Sequence, residues 1–251
     1  MARTALLGRL NWLTGMVVAS VPETPDARTI GLEIPDWPGH RAGQHVDLRL
    51  TAEDGYRAER SYSIASAPSD TYVELTVERV PGGEVSSYLV DDLRMGDRLE
   101  LRGPVGGYFV WDQELGGPLL LVAGGSGIVP LRSMLRHHRA IHSSIPVRLL
   151  YSVRDPDGLI YAREMMRFAT SDEIDVNLTY TRATPPGWHG YGRRIDAEMV
   201  ADVAWTPADR ALTYVCGPTT FVEAASNLLV AAGHAPGRIR AERFGGTEES
   251  K

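Results

Sequence analysis

The hydrophobic pattern of this chain changes once, near 112–118, and this change limits what the chain can fold into. Before that segment, apolar residues alternate with polar ones, which is the period expected of strands with one buried face. After it, short continuous apolar runs alternate with stretches of helical periodicity, as in parallel sheets covered on both sides. The sequence therefore predicts two domains, an all-β domain over 1–113 and an α/β domain over 114–251.

The first half has the pattern of several short strands. In 44–50 and in 72–80, apolar residues occupy every second position, so each segment would bury one face in a sheet. The turn residues at 81–83 end the second of these segments. A further strand is expected over 15–21, and one short helix fits from about Val85 to Leu93. Several strands at short spacing predict an antiparallel β-barrel.

The second half has the pattern of an α/β domain. The run 119–123 is apolar throughout, as expected of a strand buried on both faces. Pro130 falls in the first turn of the helix that follows, where its missing N–H costs no hydrogen bond. The expected strands cover 119–123, 147–153, 176–181, 211–216 and 239–244, and the expected helices cover 128–138, 159–169, 196–203 and 219–232. This alternation predicts a doubly wound parallel sheet.

Composition excludes several classes of protein. The chain has 26 Lys and Arg against 32 Asp and Glu, a formal net charge of -6, so we expect no general attraction to nucleic acid or to an anionic membrane. No stretch approaches the roughly 20 apolar residues of a membrane-spanning helix. Arg9 and Asn11 interrupt the apolar residues near the N-terminus, which favours a first strand over a secretion signal. We therefore expect a cytoplasmic protein.

The chain contains one cysteine, Cys216. A disulfide, a Cys-rich zinc site and a Cys-ligated iron–sulfur cluster all need more than one. His138 and His142 lie four residues apart on an expected helix, but no third ligand completes a metal site there. Arg136 and Arg139 indicate that this part of the helix is a solvated basic face. We therefore expect no metal site.

In an open parallel sheet, ligands bind beyond the carboxyl ends of the strands, and two such ends stand out here. The first is Gly124 to Gly127, where small residues allow backbone N–H groups to approach a pyrophosphate at a helix N-terminus. A tight strand-to-helix connection would explain the same glycines. The second is Cys216 to Pro218, where a lone cysteine is more often a buried, inert residue than a functional one.

The barrel half contains two further patterns. Four polar residues follow one another on one expected strand, namely Arg60, Ser61, Tyr62 and Ser63. A guanidinium suits a phosphate, a tyrosine can stack on a flat ring, and a hydroxyl can bind a ring nitrogen. Gly83, Val85 and Ser86 open the short helix, whose N-terminal N–H groups could hold a second pyrophosphate. N-capping by the serine is the alternative explanation.

Together, and in this order, the four patterns resemble those of the ferredoxin–NADP reductase family of flavoenzymes, over nearly the whole chain. The family's flavin motif, Arg-x-Tyr-Ser, matches Arg60, Tyr62 and Ser63, and its Gly-x-x-Ser motif matches Gly83 and Ser86. Its nicotinamide motif, Gly-x-Gly-Ile-Ala-Pro, matches Gly125, Ser126, Gly127, Ile128 and Pro130, with Val129 in place of alanine. The Cys-Gly-Pro motif matches Cys216, Gly217 and Pro218, and the terminal Glu-x-aromatic motif matches Glu242 and Phe244.

The resemblance implies FAD in the barrel and a nicotinamide dinucleotide on the α/β domain, with hydride transfer from the nicotinamide to the flavin. Arg60 would neutralise the FAD pyrophosphate, Tyr62 would pack on the flavin ring, and Ser63 would hydrogen-bond the reactive nitrogen. Cys216 and Glu242 would shape the nicotinamide pocket, and Glu242 would also be able to move protons.

Two more roles follow from the resemblance. Ser126 would lie between the two cofactors, at the tip of the glycine-rich turn. The ring of Phe244 would cover the flavin face in the family's pattern. Seven residues follow Phe244 here, which leaves that last role open.

The resemblance also bears on the electron acceptor. Some relatives append an iron–sulfur domain, for which one cysteine supplies no ligand set, so electrons would pass to a separate carrier or a diffusible acceptor. Candidate partners are a ferredoxin, an oxygenase or a molybdenum enzyme, and Arg132, Arg136 and Arg139 on one expected helix are candidate docking residues. The alternative is a flavin-binding electron-transfer or redox-sensing subunit without independent turnover.

Arginines at strand ends bear on the choice of nicotinamide cofactor. They are Arg154, Arg182 and either Arg193 or Arg194, similar to the phosphate site of bacterial relatives that use NADPH. A guanidinium suits a 2′-phosphate, whereas a carboxylate on the ribose usually enforces NAD preference. Asp155 and Asp157 flank Arg154, but their Asp-Pro-Asp-Gly setting indicates a turn. We therefore predict NADPH over NADH, with NADH also possible.

Overall fold

The computed structural model describes residues 10–170 and 174–245. Residues 1–9, part of the segment weighed above as a secretion signal, lie outside these ranges.

The first half forms an antiparallel sheet of six strands. They are β1 (Trp12–Thr24), β2 (Ala27–Glu33), β3 (His45–Thr51), β4 (Arg57–Ser63), β5 (Val73–Glu78) and β6 (Arg98–Val105), in the spatial order β4-β3-β6-β1-β2-β5. A bridge between Ile64 and Leu75 joins the two edges, so the sheet curls into a barrel. Side chains from alternate positions, such as Leu48, Leu75 and Leu101, fill its core, as the period of two predicts.

The expected short helix divides into two pieces. Helix α1 covers Glu84–Ser87, and a wider turn covers Tyr88–Asp92. In that turn the N–H of Leu93 donates to the carbonyl of Tyr88, five residues back, which is the spacing of a π-helical turn. Val85 and Leu89 pack into the barrel core from this segment.

The second half forms a parallel sheet of five strands. They are β7 (Leu119–Gly124), β8 (Val147–Val153), β9 (Ile174–Tyr180), β10 (Leu212–Pro218) and β11 (Ile239–Phe244), in the order β11-β10-β7-β8-β9. The helices are α2 (Ile128–Ala140), α3 (Ala162–Thr170), α4 (Ala197–Val203) and α5 (Thr219–Ala231). Helices α2 and α3 pack on one face of the sheet, and α4 and α5 on the other. The predicted doubly wound fold is confirmed, and its strand order reverses between β7 and β10.

Helix α3 begins at Ala162, three residues later than the expected start at 159. Tyr161 has φ +62, in the left-handed region that an α-helix of L-residues does not use. The helix therefore cannot include this residue, although its apolar side chain fits the helical pattern.

The two domains meet through a polar interface that the sequence pattern does not indicate. The period of two over 72–80 places Thr76 on the face of β5 opposite the apolar residues, yet Thr76 is only 5% exposed. Its hydroxyl hydrogen-bonds with those of Thr29 and Tyr161. Thr76 is buried because the α/β domain covers this face of β5, so both faces of this strand are covered.

The candidate docking arginines also belong mainly to this interface. Arg132 on α2 is 6% exposed and donates to Glu74 at 2.6 Å and to Glu164 at 2.7 Å. Arg136 donates to Asp70 at 2.9 Å. Carboxylates neutralise both arginines, and α2 lies against the barrel. The interpretation of Arg132 and Arg136 as a free basic docking patch was therefore wrong.

Within 10–170 and 174–245, no helix has both the length and the apolar content needed to cross a membrane. The same residues contain no group of three or more His, Cys, Asp or Glu side chains placed to hold a metal ion. His138 instead pairs through Nε2 with the carbonyl of Ile145 at 2.7 Å.

Candidate functional site in the cleft between the domains

The glycine-rich turn after β7 touches the end of β10. Gly125–Gly127 form one 3-10 turn that leads into α2, with Ser126 at its tip. A Cβ on Gly127 would lie 2.0 Å from the carbonyl oxygen of Cys216, so these segments meet backbone to backbone. Gly125 has φ +54 and open space where a Cβ would be. The tip of the turn is therefore open to a ligand at the point where the strand order reverses.

Cys216 is buried beside this turn, at 1% exposure. Burial raises the pKa of its thiol, and the nearby Glu242 carboxyl raises it further. The thiol is therefore protonated at neutral pH, which makes it a poor nucleophile. Cys216 is thus a buried, unreactive cysteine, as the alternative interpretation of the sequence had it. It also lies next to the glycine-rich turn.

Glu242 lies on β11 in register with Cys216. Burial raises the pKa of its carboxyl to about 7. Its Oε2 is buried without a hydrogen-bond partner among the described residues, whereas Oε1 lies 3.8 Å from Nδ1 of His45 in the barrel. Buried polar atoms normally have a partner, so this oxygen is suited to meet a bound ligand.

His45 is a residue that the sequence analysis missed. It lies on β3 in register with Ser63 on β4, which brings the expected flavin motif close to Glu242 of the other domain. Burial lowers the pKa of His45 more than the charge of Asp47 raises it. No local motif marks His45, because its partner Glu242 is distant in the sequence.

Arg60 and Tyr62 share one face of β4. They pair in register with Leu48 and Val46, and burial raises the pKa of Tyr62 to about 12. Arg60 is exposed and donates to the carbonyl of its neighbour Glu59, which leaves most of its guanidinium donors available.

Ser61 lies on the opposite face of β4. Its hydroxyl donates to Asp47 at 2.7 Å, and Asp47 also accepts from Arg102. The structure therefore brings Arg60 and Tyr62 together but directs the Ser61 side chain away from them.

The Gly-x-x-Ser pattern closes the loop before α1. The Ser86 hydroxyl accepts from the N–H of Val80 at 3.0 Å and donates to the carbonyl of Gly83 at 3.3 Å. A Cβ on Gly83 would lie 2.6 Å from the Ser86 oxygen, which explains the need for glycine. The N-cap is Gly83 and not the serine, and the Val85 side chain belongs to the core. Any ligand here would meet main-chain N–H groups.

Two of the candidate phosphate-binding arginines lie side by side. The N–H of Arg182 donates to the carbonyl of Arg154 at 2.8 Å, which joins the chain beyond β8 to the chain beyond β9. Arg193 is paired with Asp196 and Glu198, and Arg194 is exposed. Beside Arg154, the carboxylate of Asp155 accepts from the N–H of Gly158, as expected for a turn.

Gly217, Pro218 and Phe244 complete this edge of the sheet. Phe244 ends β11 in register with Pro218, at the same end as Glu242. Its side chain is 36% exposed, so an aromatic surface is available at the mouth of the cleft.

Glu242→Gln should be more stable than the wild type at pH 8 but equally stable at pH 4. The unfolded carboxyl ionises near 4.5 and the folded one near 7, so the folded state binds more protons between these values. Wild-type stability therefore falls as pH rises through this window, and glutamine removes that fall. Thermal unfolding of both proteins at pH 4 and pH 8 should give equal midpoints at pH 4 and a higher midpoint for the variant at pH 8. Equal midpoints at both values would contradict the buried carboxyl.

Comparison with known proteins adds to this geometry. The family model described as oxidoreductase FAD-binding domain matches residues 21–110, and the one described as oxidoreductase NAD-binding domain matches 121–227. The glycine betaine monooxygenase reductase subunit of Pseudomonas aeruginosa is 34% identical over 92% of this chain. The chain spans 63% of the length of that relative.

Two solved structures share the fold. Amycolatopsis cytochrome P450 reductase GcoB is 30% identical, with a TM-score of 0.80 over 96% of this chain and 73% of that one. A ferredoxin NADP+ reductase from Neisseria gonorrhoeae, with bound FAD and NADP, has a TM-score of 0.80 at 22% identity. The match covers 94% of this chain and 99% of that one.

A barrel with an FAD-binding domain match, joined to a doubly wound sheet with an NAD-binding domain match, defines a two-domain flavin and nicotinamide oxidoreductase fold. The chain belongs to the ferredoxin reductase-like family, as its sequence motifs predicted.

Proposed function

We propose that this protein is an FAD-dependent NAD(P)H oxidoreductase that passes electrons from NADPH through FAD to a separate carrier protein or a diffusible acceptor. One observation carries the proposal. His45, which pairs with Ser63 at the ends of β3 and β4, has its Nδ1 3.8 Å from Oε1 of Glu242, which pairs with Cys216 near the ends of β11 and β10. Two ligands bound at these ends would have their reactive rings in one cleft, as hydride transfer requires.

Each domain would hold one cofactor, FAD on 1–113 and the nicotinamide dinucleotide on 114–251. The open glycine-rich turn and the unpartnered Oε2 of Glu242 fit such ligands. Arg60 would bind the FAD pyrophosphate, Tyr62 would pack on the flavin, and Ser63 would donate to it. When bound, the nicotinamide supplies a hydride that the flavin accepts, so the protein mainly orients the rings and excludes water.

The remaining site residues would complete both pockets. Main-chain groups at Gly83, Val85 and Ser86 would approach the FAD phosphates, with Ser61 contributing through its main chain. Gly125, Ser126, Gly127, Gly217 and Pro218 would line the nicotinamide pocket, and the ring of Phe244 would cover the flavin.

The proposed acceptor is a separate redox protein, with an oxygenase component favoured over a ferredoxin or a molybdenum enzyme. The Pseudomonas relative is named as a monooxygenase reductase subunit, and the Amycolatopsis structure as a cytochrome P450 reductase. We propose a cytoplasmic location, where NADPH is available and a lone thiol stays reduced.

The test is anaerobic mixing of the purified, FAD-loaded protein with NADPH. Rapid bleaching of the flavin absorbance is expected for the reductase. A bound flavin that stays oxidised would instead support the subunit or sensor without turnover, and a protein that binds no FAD would contradict both.

Arg60→Ala should weaken FAD binding about 10- to 100-fold, because a charge-assisted hydrogen bond to phosphate contributes about 1.5–3 kcal/mol. Arg57→Ala is the matched control, since Arg57 lies on the same strand but on the opposite face. Equilibrium dialysis of FAD measures both variants. Wild-type affinity in Arg60→Ala, or an equal loss in Arg57→Ala, would contradict the phosphate role.

The Arg154→Ala, Arg182→Ala double variant should lose NADPH preference. Removing two contacts to the 2′-phosphate should lower kcat/KM for NADPH about 100-fold and leave NADH little changed. Arg193→Ala is the control, because Asp196 and Glu198 already neutralise Arg193. The measurement is kcat/KM with each donor. A wild-type preference for NADH, or an unchanged preference in the double variant, would contradict the assignment.

A further inference from the structure

The segment that connects the two domains, 109–111, is buried between them. Its three residues are at most 6% exposed. On the barrel side, the N–H of Trp111 donates to the carbonyl of Ala42 at 3.1 Å. A Cβ on Gly43 would lie 2.0 Å from the carbonyl oxygen of Phe109. The connecting segment therefore packs, backbone against backbone, on the loop before β3.

On its other side, the connecting segment is held by β10 and β11. The carbonyl of Val110 accepts from the Tyr214 hydroxyl at 2.6 Å and from Nη1 of Arg240 at 2.7 Å. The same Nη1 donates to the Tyr214 hydroxyl oxygen at 3.2 Å. Burial raises the pKa of Tyr214, so its hydroxyl remains a donor at neutral pH. The carbonyl before Val110 thus contacts the barrel, and the carbonyl of Val110 itself is bound by the sheet.

Aromatic rings hold the Arg240 side chain in place. Its guanidinium carbon lies 5.6 Å from the ring centre of Tyr214 and 5.8 Å from that of Tyr108, within the range of a cation–π interaction. The Tyr108 hydroxyl donates to the carbonyl of Ile239 at 3.3 Å. The rings of Phe109 and Tyr214 meet edge to face with their centres 5.2 Å apart. The guanidinium is therefore fixed on several sides.

Arg240 lies close to the candidate functional site in the sheet. In the pairing of β10 with β11, Arg240 is opposite Tyr214 and Glu242 is opposite Cys216, so the guanidinium and the site carboxyl are on the same face of β11. The barrel enters the connecting segment through β6, which ends at Val105 beside the start of β3. A shift of the connecting segment would therefore move these barrel strand ends relative to the ends of β10 and β11.

We propose that Arg240 is a positioning residue that acts through Val110 and fixes the separation between the flavin-binding end of the barrel and the nicotinamide-binding end of the sheet. This inference rests on the proposed function. Hydride transfer needs the reacting atoms about 3–3.5 Å apart, and a misplacement of about 1 Å can cost about 100-fold in rate. The charge-assisted hydrogen bond of Arg240 holds the connecting segment at one distance from the sheet.

The first test is hydrogen exchange of the FAD-loaded protein, measured by mass spectrometry in peptides that cover 105–113. In Arg240→Met the amides of this segment should exchange about tenfold faster, because the carbonyl of Val110 loses a charged donor. The donors of Arg240 go to neutral oxygens among the described residues, so methionine leaves no carboxylate unpaired and the variant should fold. Unchanged exchange in Arg240→Met would overturn the inference.

Arg148→Met is the matched control. Arg148 also donates to two main-chain carbonyls, those of Val203 and Ala204, and it stacks on Trp205 at 4.0 Å. These contacts lie within the α/β domain alone. Arg148→Met should therefore leave exchange over 105–113 unchanged. Equally fast exchange of this segment in both variants would also overturn the inference, because it would show a general loss of stability.

The second test is stopped-flow reduction of the bound flavin over a range of NADPH concentrations. In Arg240→Met the limiting rate should fall about 10- to 100-fold, whereas the apparent Kd of NADPH should change less than threefold and FAD should stay bound. A merely structural role would lower the melting temperature without changing the limiting rate of the folded variant. Arg148→Met should show that structural result.

The two tests separate the possible failures. A wild-type limiting rate in Arg240→Met, or a loss confined to the Kd of NADPH, would overturn the positioning role. A wild-type protein that NADPH does not reduce would defeat the proposed function. Hydrogen exchange would still decide in that case whether Arg240 holds the connecting segment.

Discussion

Arg132→Met is expected to lower the free energy of unfolding by about 3 kcal/mol and to separate the unfolding of the two domains. The Arg132 side chain is 8% exposed and holds Glu74 of the barrel and Glu164 of the α/β domain. Removing one partner of a buried ion pair costs about 3–5 kcal/mol, because the other charges stay buried. Arg136 also contacts both carboxylates and still neutralises them in the variant. The expected loss of stability is therefore at the low end of this range.

Urea unfolding followed by tryptophan fluorescence and by circular dichroism measures this effect. The wild type should give one coincident transition, and Arg132→Met two. Arg49→Met is the control, since Arg49 pairs with Glu100 within the barrel alone, and it should keep a coincident transition. A single transition in Arg132→Met within 1 kcal/mol of wild type would show that these ion pairs do not join the domains.

Gly127→Ala should lower the rate of flavin reduction by NADPH at least 100-fold while FAD stays bound. The new Cβ would lie 2.0 Å from the carbonyl oxygen and 2.4 Å from the carbonyl carbon of Cys216. These are main-chain atoms of β10, so the glycine-rich turn has to move instead. A displacement of about 1 Å in a binding site can cost about 100-fold in rate. The barrel, and with it FAD affinity, should be unaffected.

Gly125→Ala separates crowding from backbone strain. Gly125 has φ +54 but open space at its Cβ, so alanine there costs about 1 kcal/mol of strain without a collision. Gly127 has an ordinary φ of -60, so its effect comes from crowding alone. The free energy of unfolding of the protein without cofactors should therefore fall far less in Gly125→Ala than in Gly127→Ala. The reverse order would show that the two strand ends are not in the contact described.

The sequence predicted the strands and helices whose hydrophobic pattern depends on residues close to one another in the chain. Strand β8 covers the expected 147–153, and β7, β10 and β11 differ from expectation by at most two residues at either end. β7, β8 and β10 are mainly apolar runs between turn residues, and such runs reflect local burial. The helix over 159–169 was placed too early because the left-handed Tyr161 still carries an apolar side chain.

Contacts between distant polar residues could not be predicted in the same way. Periodicity assigns a polar side chain to solvent, but Thr76 and Arg132 are buried because the other domain covers them. His45 was missed for the same reason, because only folding brings it close to Glu242. The motif residues were easier to find, since each group is contiguous or nearly so in the sequence.

The buried, protonated thiol of Cys216 makes this chain convenient for site-specific labelling. Maleimides and oxidants react with accessible thiolates, and the single cysteine here is 1% exposed with a raised pKa. Cysteines introduced at Tyr56 in the barrel domain and at Val230 on α5, which are 56% and 45% exposed, would take dyes without prior removal of the native thiol. Energy transfer between such dyes would then report how far the domains open and close in solution.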